Sequence, residues 1–309
     1  MDDLKAVSNM SDMDEESKAT KPCWLKRKIA YSGKHNSVQH NIHTRGLHTV
    51  CIEAKCPNRS ECYSRGVATF LIMGNICTRN CSFCSVSHGT PTNLDPNEPD
   101  QIAEAVAELK LKHVVITSVT RDDLEDGGAS HYALIVKKLK NRFPEITTEL
   151  LIPDLQGDTN ALDIVFTSKP DILNHNVETV PCLYPLIRPQ ASFQRSLDVL
   201  KRASDKGLTT KSGIMVGLGE KFDDVIKTMQ ALRAHGCSII TIGQYLRPSA
   251  DQIEVKEFVH PEIFENYSKA GKQMGFSEVF AGPFVRSSYR ADELLKEVQI
   301  HKNGTENYA

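Results

Sequence analysis

Short, continuously apolar runs alternate with amphipathic stretches between about residues 68 and 283. ATFLIMG (68–74), HVVITSV (113–119), ELLIP (149–153), DILNHN (171–176), KSGIMVGLG (211–219), SIITIGQYL (238–246) and SEVFAGP (277–283) read as strands. Between them Ile102, Val106 and Leu109 recur at helical spacing, and helices are expected over 132–143, 192–203 and 261–274. Phe222, Val225, Ile226, Met229 and Leu232 line one face of a further helix, which Gly236 closes; Met229 in that stripe is read as core. Strands that are apolar throughout, alternating with helices at least six times, describe a parallel sheet covered by helices. Polar or Gly-rich residues collect behind the strands at 122–128, 174–178, 217–220 and 244–249, where a barrel carries its reactive groups. Periodicity alone does not choose between an open sheet and a barrel.

The flanks have a different texture. Residues 1–20 are polar, charged and without period, and are expected to be disordered, as is the tail beyond Ile300. Residues 21–67 carry Pro22, Trp24 and a basic run (Lys26, Arg27, Lys28) read as a solvated face; this stretch is an extension packed on something larger. The expected division is therefore an acidic tail (1–20), an N-terminal extension (21–67), a barrel (68–281) and a C-terminal extension (282–309). A chain of 309 residues fits one α/β barrel with such additions. A net charge of −2 gives no reason to expect nucleic acid or a membrane surface as partner. No apolar run reaches the roughly 18 residues of a membrane span. The acidic N-terminus has neither a secretory h-region nor transit-peptide character, so a cytoplasmic protein is expected.

Nine cysteines change the picture. Their number is odd and six of them are clustered, which argues for metal rather than a disulfide framework. Cys51, Cys56 and Cys62 are spaced C-x4-C-x5-C; Cys77, Cys81 and Cys84 are spaced C-x3-C-x2-C. An iron–sulfur cluster normally takes four cysteines, so each triplet implies an open position or a ligand from elsewhere. Zinc sites favour duplicated C-x2-C pairs over such triplets. Phe83, just before the last cysteine, is placed to shield a cluster. Cys23, Cys182 and Cys237 lie outside the motifs, and Cys237 is read as a small buried hydrophobe. Gly127 and Gly128 suit a tight turn. Gly217 and Gly219 in GLGE lack the third glycine of a dinucleotide fingerprint.

The C-x3-C-x2-C loop directly behind the first strand resembles the signature of the radical S-adenosylmethionine (SAM) superfamily. Taken with the first triplet, the chain resembles the lipoyl synthase family from about Pro22 to Asp292. The matching blocks include KPCWLKRK (21–28), ITSVTRDDLEDGGA (116–129), LIPDLQG (151–157), NHNVETV (174–180), RPQASFQRSL (188–197), TKSGIMVGLGE (210–220), TIGQYLRPS (241–249) and GPFVRSSY (282–289). The resemblance implies a partial (β/α)6-type radical SAM barrel with N- and C-terminal extensions. It implies two 4Fe–4S clusters, held by Cys77, Cys81 and Cys84 and by Cys51, Cys56 and Cys62, with SAM on the open iron of the first. It places the second cluster's fourth ligand on Ser288 of Arg286-Ser287-Ser288-Tyr289, where composition alone favours a turn or capping serine. An alkoxide is a harder ligand than thiolate, which suits a cluster that is consumed.

By the same resemblance Gly127 and Gly128 are candidates to hold the SAM amino group, and Asn174, Glu178 and Arg188 its ribose or carboxylate. The implied reaction is insertion of sulfur at C6 and C8 of an octanoyl chain amide-linked to a lysine. Implied partners are octanoylated lipoyl carrier domains (2-oxoacid dehydrogenase E2 subunits and the glycine cleavage H protein), reduced ferredoxin or flavodoxin, and an iron–sulfur carrier protein, acting on a monomer. The alternatives are a biotin-synthase-like sulfur inserter, a two-cluster electron-transfer protein and a structural zinc module. Tyr63 stands where the family usually has Trp, Cys182 where it has a basic residue, and Ala250, Asp251 and Gln252 where basic residues and a histidine are expected.

Overall fold

The computed structural model of the chain describes residues 21–26 and 32–288. The expected disorder at both ends, together with Arg27, Lys28 and Tyr289, lies outside the described residues. The strands are β1 (His48–Thr49), β2 (Thr69–Ile72), β3 (Ile76–Cys77), β4 (Ser87–His88), β5 (His113–Ser118), β6 (Thr147–Leu151), β7 (Ile172–Asn174), β8 (Thr209–Val216), β9 (Ile239–Gln244) and β10 (Glu278–Gly282). The helices are α1 (Gly33–Thr44), α2 (Val50–Glu53), α3 (Arg59–Ser64), α4 (Glu98–Leu109), α5 (Ala129–Arg142), α6 (Thr159–Thr167), α7 (Tyr184–Ile187), α8 (Phe193–Asp205), α9 (Phe222–Ala234) and α10 (Pro261–Gln273).

Eight strands form one sheet in the order β1-β2-β5-β6-β7-β8-β9-β10. All neighbours run parallel except β1, which pairs antiparallel with β2. A parallel neighbour demands a crossover, and α4, α5, α6, α8, α9 and α10 supply one after each of β2, β5, β6, β7, β8 and β9. The result is six β/α units followed by β10. The sheet is strongly curled: Val115 on β5 packs with Ile239 on β9 and Phe280 on β10, although β6, β7 and β8 lie between them in the hydrogen-bonded order. Among the described residues no pairing joins β10 to β1, which makes this a barrel with an open seam. Continuous burial of β2 and β9 explains why their sequences read as unbroken apolar runs.

Five of the described helices, α1, α2, α3, α6 and α7, are absent from the sequence-based expectation. α6 starts where the Asp158 side chain accepts from the Ala161 N–H, and buries Ala161, Leu162, Val165 and Phe166. Its nine residues offer only two turns of pattern. α1, in the N-terminal extension, is mostly polar and buries His35, Val38, Asn41 and Ile42. The extension does more than pack on the barrel, because its β1 becomes the sheet's edge strand.

The lower lumen holds a charged group. Lys211 Nζ on β8 donates to Glu149 Oε1 and Oε2 on β6 at 2.9 and 3.1 Å, both residues fully buried. Asn174 Nδ2 on β7 also donates to Glu149, and His113 Nε2 stands 3.7 Å from it. Burial opposes ionisation of Glu149, but the Lys211 charge, with His113 beside it, outweighs it and holds its carboxyl near a pKa of about 2.

Candidate active site

Both cysteine triplets sit at one end of the barrel, on loops bonded to each other. Cys51 is on α2, Cys56 follows the left-handed Lys55, and Cys62 is on α3. Cys77 ends β3, and Cys81 and Cys84 follow in the loop. Ser85, next to Cys84, donates to the carbonyl of Glu53 at the end of α2 and so joins the two loops.

The Cys77–Cys84 loop is pinned nearly residue by residue. Thr120 N and Arg79 N donate to Cys77 Sγ at 3.2 and 3.4 Å. Thr78 N and Oγ1 both donate to Thr120 O. Asn80 N donates to Gln190 Oε1, and Ser82 N to Ile187 O. Arg79 reaches Asp122 behind β5 at 2.6 Å and Asp154 behind β6 at 2.7 Å. Burial works against the Asp154 carboxylate, yet the Arg79 hydrogen bond and the charges of Arg79, His175 and Arg195 hold it near a pKa of about 2. Phe83 packs against an apolar patch of Ile187, Leu218 and Tyr245.

The thiols fit an iron–sulfur donor set. Burial pushes the Cys51 thiol up to about 12, with Cys56 and Cys62 adding to it. Burial pushes Cys84 up to about 12 as well, with Cys81 and Cys77 adding to it. Buried thiols crowded so closely gain from a soft cation that stabilises their thiolates. Among the described residues no three His, Cys, Asp or Glu side chains converge as on a single metal ion. In a cubic cluster each thiolate meets its own iron instead.

The segment after β10 returns to this site. After β10, residues 283–288 cross the barrel mouth. Asn58, between Cys56 and Cys62, donates through Nδ2 to Phe284 O at 2.7 Å. Thr69 Oγ1, at the start of β2, donates to Ser288 Oγ at 2.9 Å. A backbone hydrogen bond from the same Thr69 favours the Cys51 thiolate. Ser288 therefore stands beside the first triplet, while Ser287 meets Asn176 on the opposite wall.

The remaining candidates divide. Glu178 and Arg188 lie together near Cys81. Glu178 adopts φ +65°, an uncommon conformation for its type, and its carboxyl is raised by burial against the opposing pull of Arg188, Asn176 and Arg286. Arg188 Nη1 donates to the carbonyls of Asn176 and Val177, leaving Nε buried and unpartnered. Asn174 instead belongs to the Glu149 group, with its Oδ1 unpartnered. Gly127 and Gly128 take φ +59° and +90° and form the turn into α5; their N–H groups already donate to Leu124 O and Asp126 Oδ1. Gly127 lines a cavity of about 340 Å³ between the loops behind β5 and β6. Cys23 and Cys182 are exposed, and Cys237 is buried.

The Radical SAM superfamily matches residues 71–232. The lipoyl synthase of Chlorobium phaeobacteroides is 50% identical over 278 residues, 89% of this chain and 97% of its own. That of Alkaliphilus metalliredigens is 50% identical over 285 residues, 92% of this chain and 98% of its own. This chain belongs to the lipoyl synthase family. It is a sulfur-inserting radical SAM enzyme, and the family brings SAM and 4Fe–4S clusters to it. Among solved structures, Streptococcus suis SuiB bound to precursor peptide SuiA superposes with a TM-score of 0.56 over 69% of this chain and 48% of that one, at 13% identity. That likeness is one of fold, and it accords with the curled parallel sheet. Family membership also sets aside the electron-transfer and zinc readings.

Sequence reasoning did not single out Asn58, Arg79, Asp154 or Asn176. Arg79 carried the best signal, a charge inside a cysteine loop.

Proposed function

We propose that the chain inserts sulfur at C6 and C8 of an octanoyl chain on a lysine of a lipoyl carrier domain. The observation that carries this reading is the return of Ser288 to the Cys51 triplet, beside a separate triplet at the same mouth. Cys77, Cys81 and Cys84 would hold the cluster that binds SAM; Cys51, Cys56, Cys62 and Ser288 would hold the auxiliary cluster. When bound, these groups supply a carbon radical able to take a non-acidic hydrogen, and the sulfide that replaces it.

The chain's own residues supply position and exclusion of water. Arg79, tied to Asp122 and Asp154, fixes the first cysteine loop against two barrel strands. Arg188 and Glu178 present opposite charges beside Cys81, suited to the carboxylate and ammonium groups of an amino acid. Segment 283–288 ties Asn58, Thr69 and Asn176 together across the site. Gly127 and Gly128 shape the neighbouring loop. Reduced ferredoxin or flavodoxin would supply electrons, an iron–sulfur carrier protein would renew the auxiliary cluster, and the chain would act as a cytoplasmic monomer. No described helix is long and apolar enough to cross a membrane.

Anaerobic reconstitution with an octanoyl-lysyl peptide, SAM and reductant tests the reading by mass analysis. Two sulfurs gained per peptide are expected, and 5′-deoxyadenosine formation without any sulfur gain would sink it.

A further inference from the structure

The two serines of the C-terminal motif face opposite walls of the mouth. Ser288 takes the Thr69 hydroxyl on β2. Ser287 Oγ accepts from Asn176 Nδ2, just beyond β7, at 2.6 Å. Asn176 is itself well fixed, being 8% exposed, with its carbonyl accepting from Arg188 Nη1 at 2.9 Å. Its Nδ2 also reaches Glu178 Oε1 at 3.0 Å.

The barrel wall is hollowed to receive this pair. A Cβ on Gly213 of β8 would stand 2.8 Å from Asn176 Oδ1, 2.9 Å from Ser287 Oγ and 2.9 Å from Thr241 Oγ1. A Cβ on Gly243 of β9 would collide with the Val285 carbonyl. Two glycines on adjacent strands thus leave room for segment 285–287, and Asn176 grips it from just beyond the neighbouring β7. A segment without regular strand pairing keeps one register only if side chains hold it. Ser287 fastened to Asn176 leaves its neighbour facing the other way, toward Thr69 and Cys51.

We infer that Asn176 is the positioning residue that seats Ser287 and thereby sets Ser288 against the auxiliary cysteines. This rests on the proposed role of Ser288 as the fourth ligand. The pair acts as a latch: the Asn176–Ser287 bond holds the segment, and Ser288 does the work at the site. The same Asn176 amide touches Glu178, so the seat adjoins the polar groups around Cys81.

Two measurements on the full chain test the latch and its purpose separately. The first is hydrogen exchange of residues 283–288 in wild type, Asn176→Ala, Ser287→Ala and the double variant. Losing one neutral hydrogen bond should speed exchange about five- to tenfold in each single variant. The double variant should be no faster than either single one, because both remove the same bond. Unchanged exchange, or effects that add, would overturn the latch. The second is chelator-driven iron loss from the reconstituted protein, with the iron held by Cys77, Cys81 and Cys84 as internal reference. Asn176→Ala and Ser287→Ala should speed loss of the auxiliary iron several-fold, and Ser288→Cys should abolish that sensitivity. Wild-type iron loss in both variants, where Ser288→Ala accelerates it, would overturn the inference. If Ser288→Ala itself has no effect, the ligand reading fails instead, and hydrogen exchange still judges the latch. Ser287→Ala, outside the regular sheet and helices, keeps the test open should Asn176→Ala misfold.

Discussion

Thr69 and Ser288, 219 residues apart, share a hydrogen bond of 2.9 Å at the mouth of the barrel. Thr69 opens β2 and Ser288 is the last described residue, so this bond ties the segment after β10 to the second strand of the sheet. The same Thr69 supports Cys51 through its backbone. One residue therefore relates the segment after β10, the barrel wall and the first cysteine triplet.

If that relationship serves a cluster ligand, Ser288→Cys should strengthen the hold on iron, since thiolate suits iron better than a hard oxygen. A normal iron count and normal first-step SAM cleavage are expected, with completion of sulfur insertion strongly reduced. Ser287→Ala should be milder in product yield. Equal yields from Ser288→Cys, Ser288→Ala and wild type would make Ser288 a structural serine.

The two triplets should separate by phenotype. Reconstituted wild type should hold about eight irons and eight sulfides, as two cubes require. Alanine at Cys77, Cys81 and Cys84 should leave one cluster and stop 5′-deoxyadenosine formation. Alanine at Cys51, Cys56 and Cys62 should leave SAM cleavage intact and end sulfur transfer. A first-triplet variant that still made product at the wild-type rate would refute its donor role.

Glu149 and Lys211 lie fully buried against each other. Lys211→Met would leave the buried Glu149 with only Asn174 and His113 beside it, and up to about 3–5 kcal/mol of stability should be lost. Adding Glu149→Gln should recover much of it, because the two effects couple. Urea unfolding of the apoprotein measures both; purely additive losses would show that the pair is not a unit.

His175 should make stability depend on pH. Burial, with the nearby Arg188 charge, depresses its pKa from 6.5 to about 4, while its Nδ1 donates to Ile152 O. Between those values the unfolded chain binds a proton that the folded chain refuses. Stability should therefore fall as pH drops from about 6.5 toward 4, by up to about 1.4 kcal/mol per pH unit. His175→Gln should flatten this slope in thermal melts, and an unchanged slope would assign it to other groups.

Gly213→Ala should displace the segment after β10 without unfolding the barrel, at a cost of about 1–3 kcal/mol from overpacking. Limited proteolysis should cut the variant near residues 283–288 faster than wild type. Equal cutting would mean that the crowding around Gly213 is relieved elsewhere.

The barrel strands, their alternation with helices and both cysteine triplets were legible in the chain because each is a local signal. A strand buried on both faces is apolar throughout, and three thiols for one cluster fall within a dozen residues. Helix ends such as α6 were hidden because nine residues give little periodicity and Asp158 is one acid among many. Ser288 was reachable only through resemblance to a family, since one serine carries no pattern of its own. Asn58, Arg79 and Asn176 were not singled out, and neither was the Lys211–Glu149 pair. Their partners lie 226, 75, 111 and 62 residues away. The sequence by itself determined how the thiols are grouped, because spacing within a loop sets how many thiols one cluster can have. Only the tertiary structure decided which wall each serine faces. That depends on how far the sheet curls, and curling is the sum of strand twists and side-chain volumes across the whole barrel.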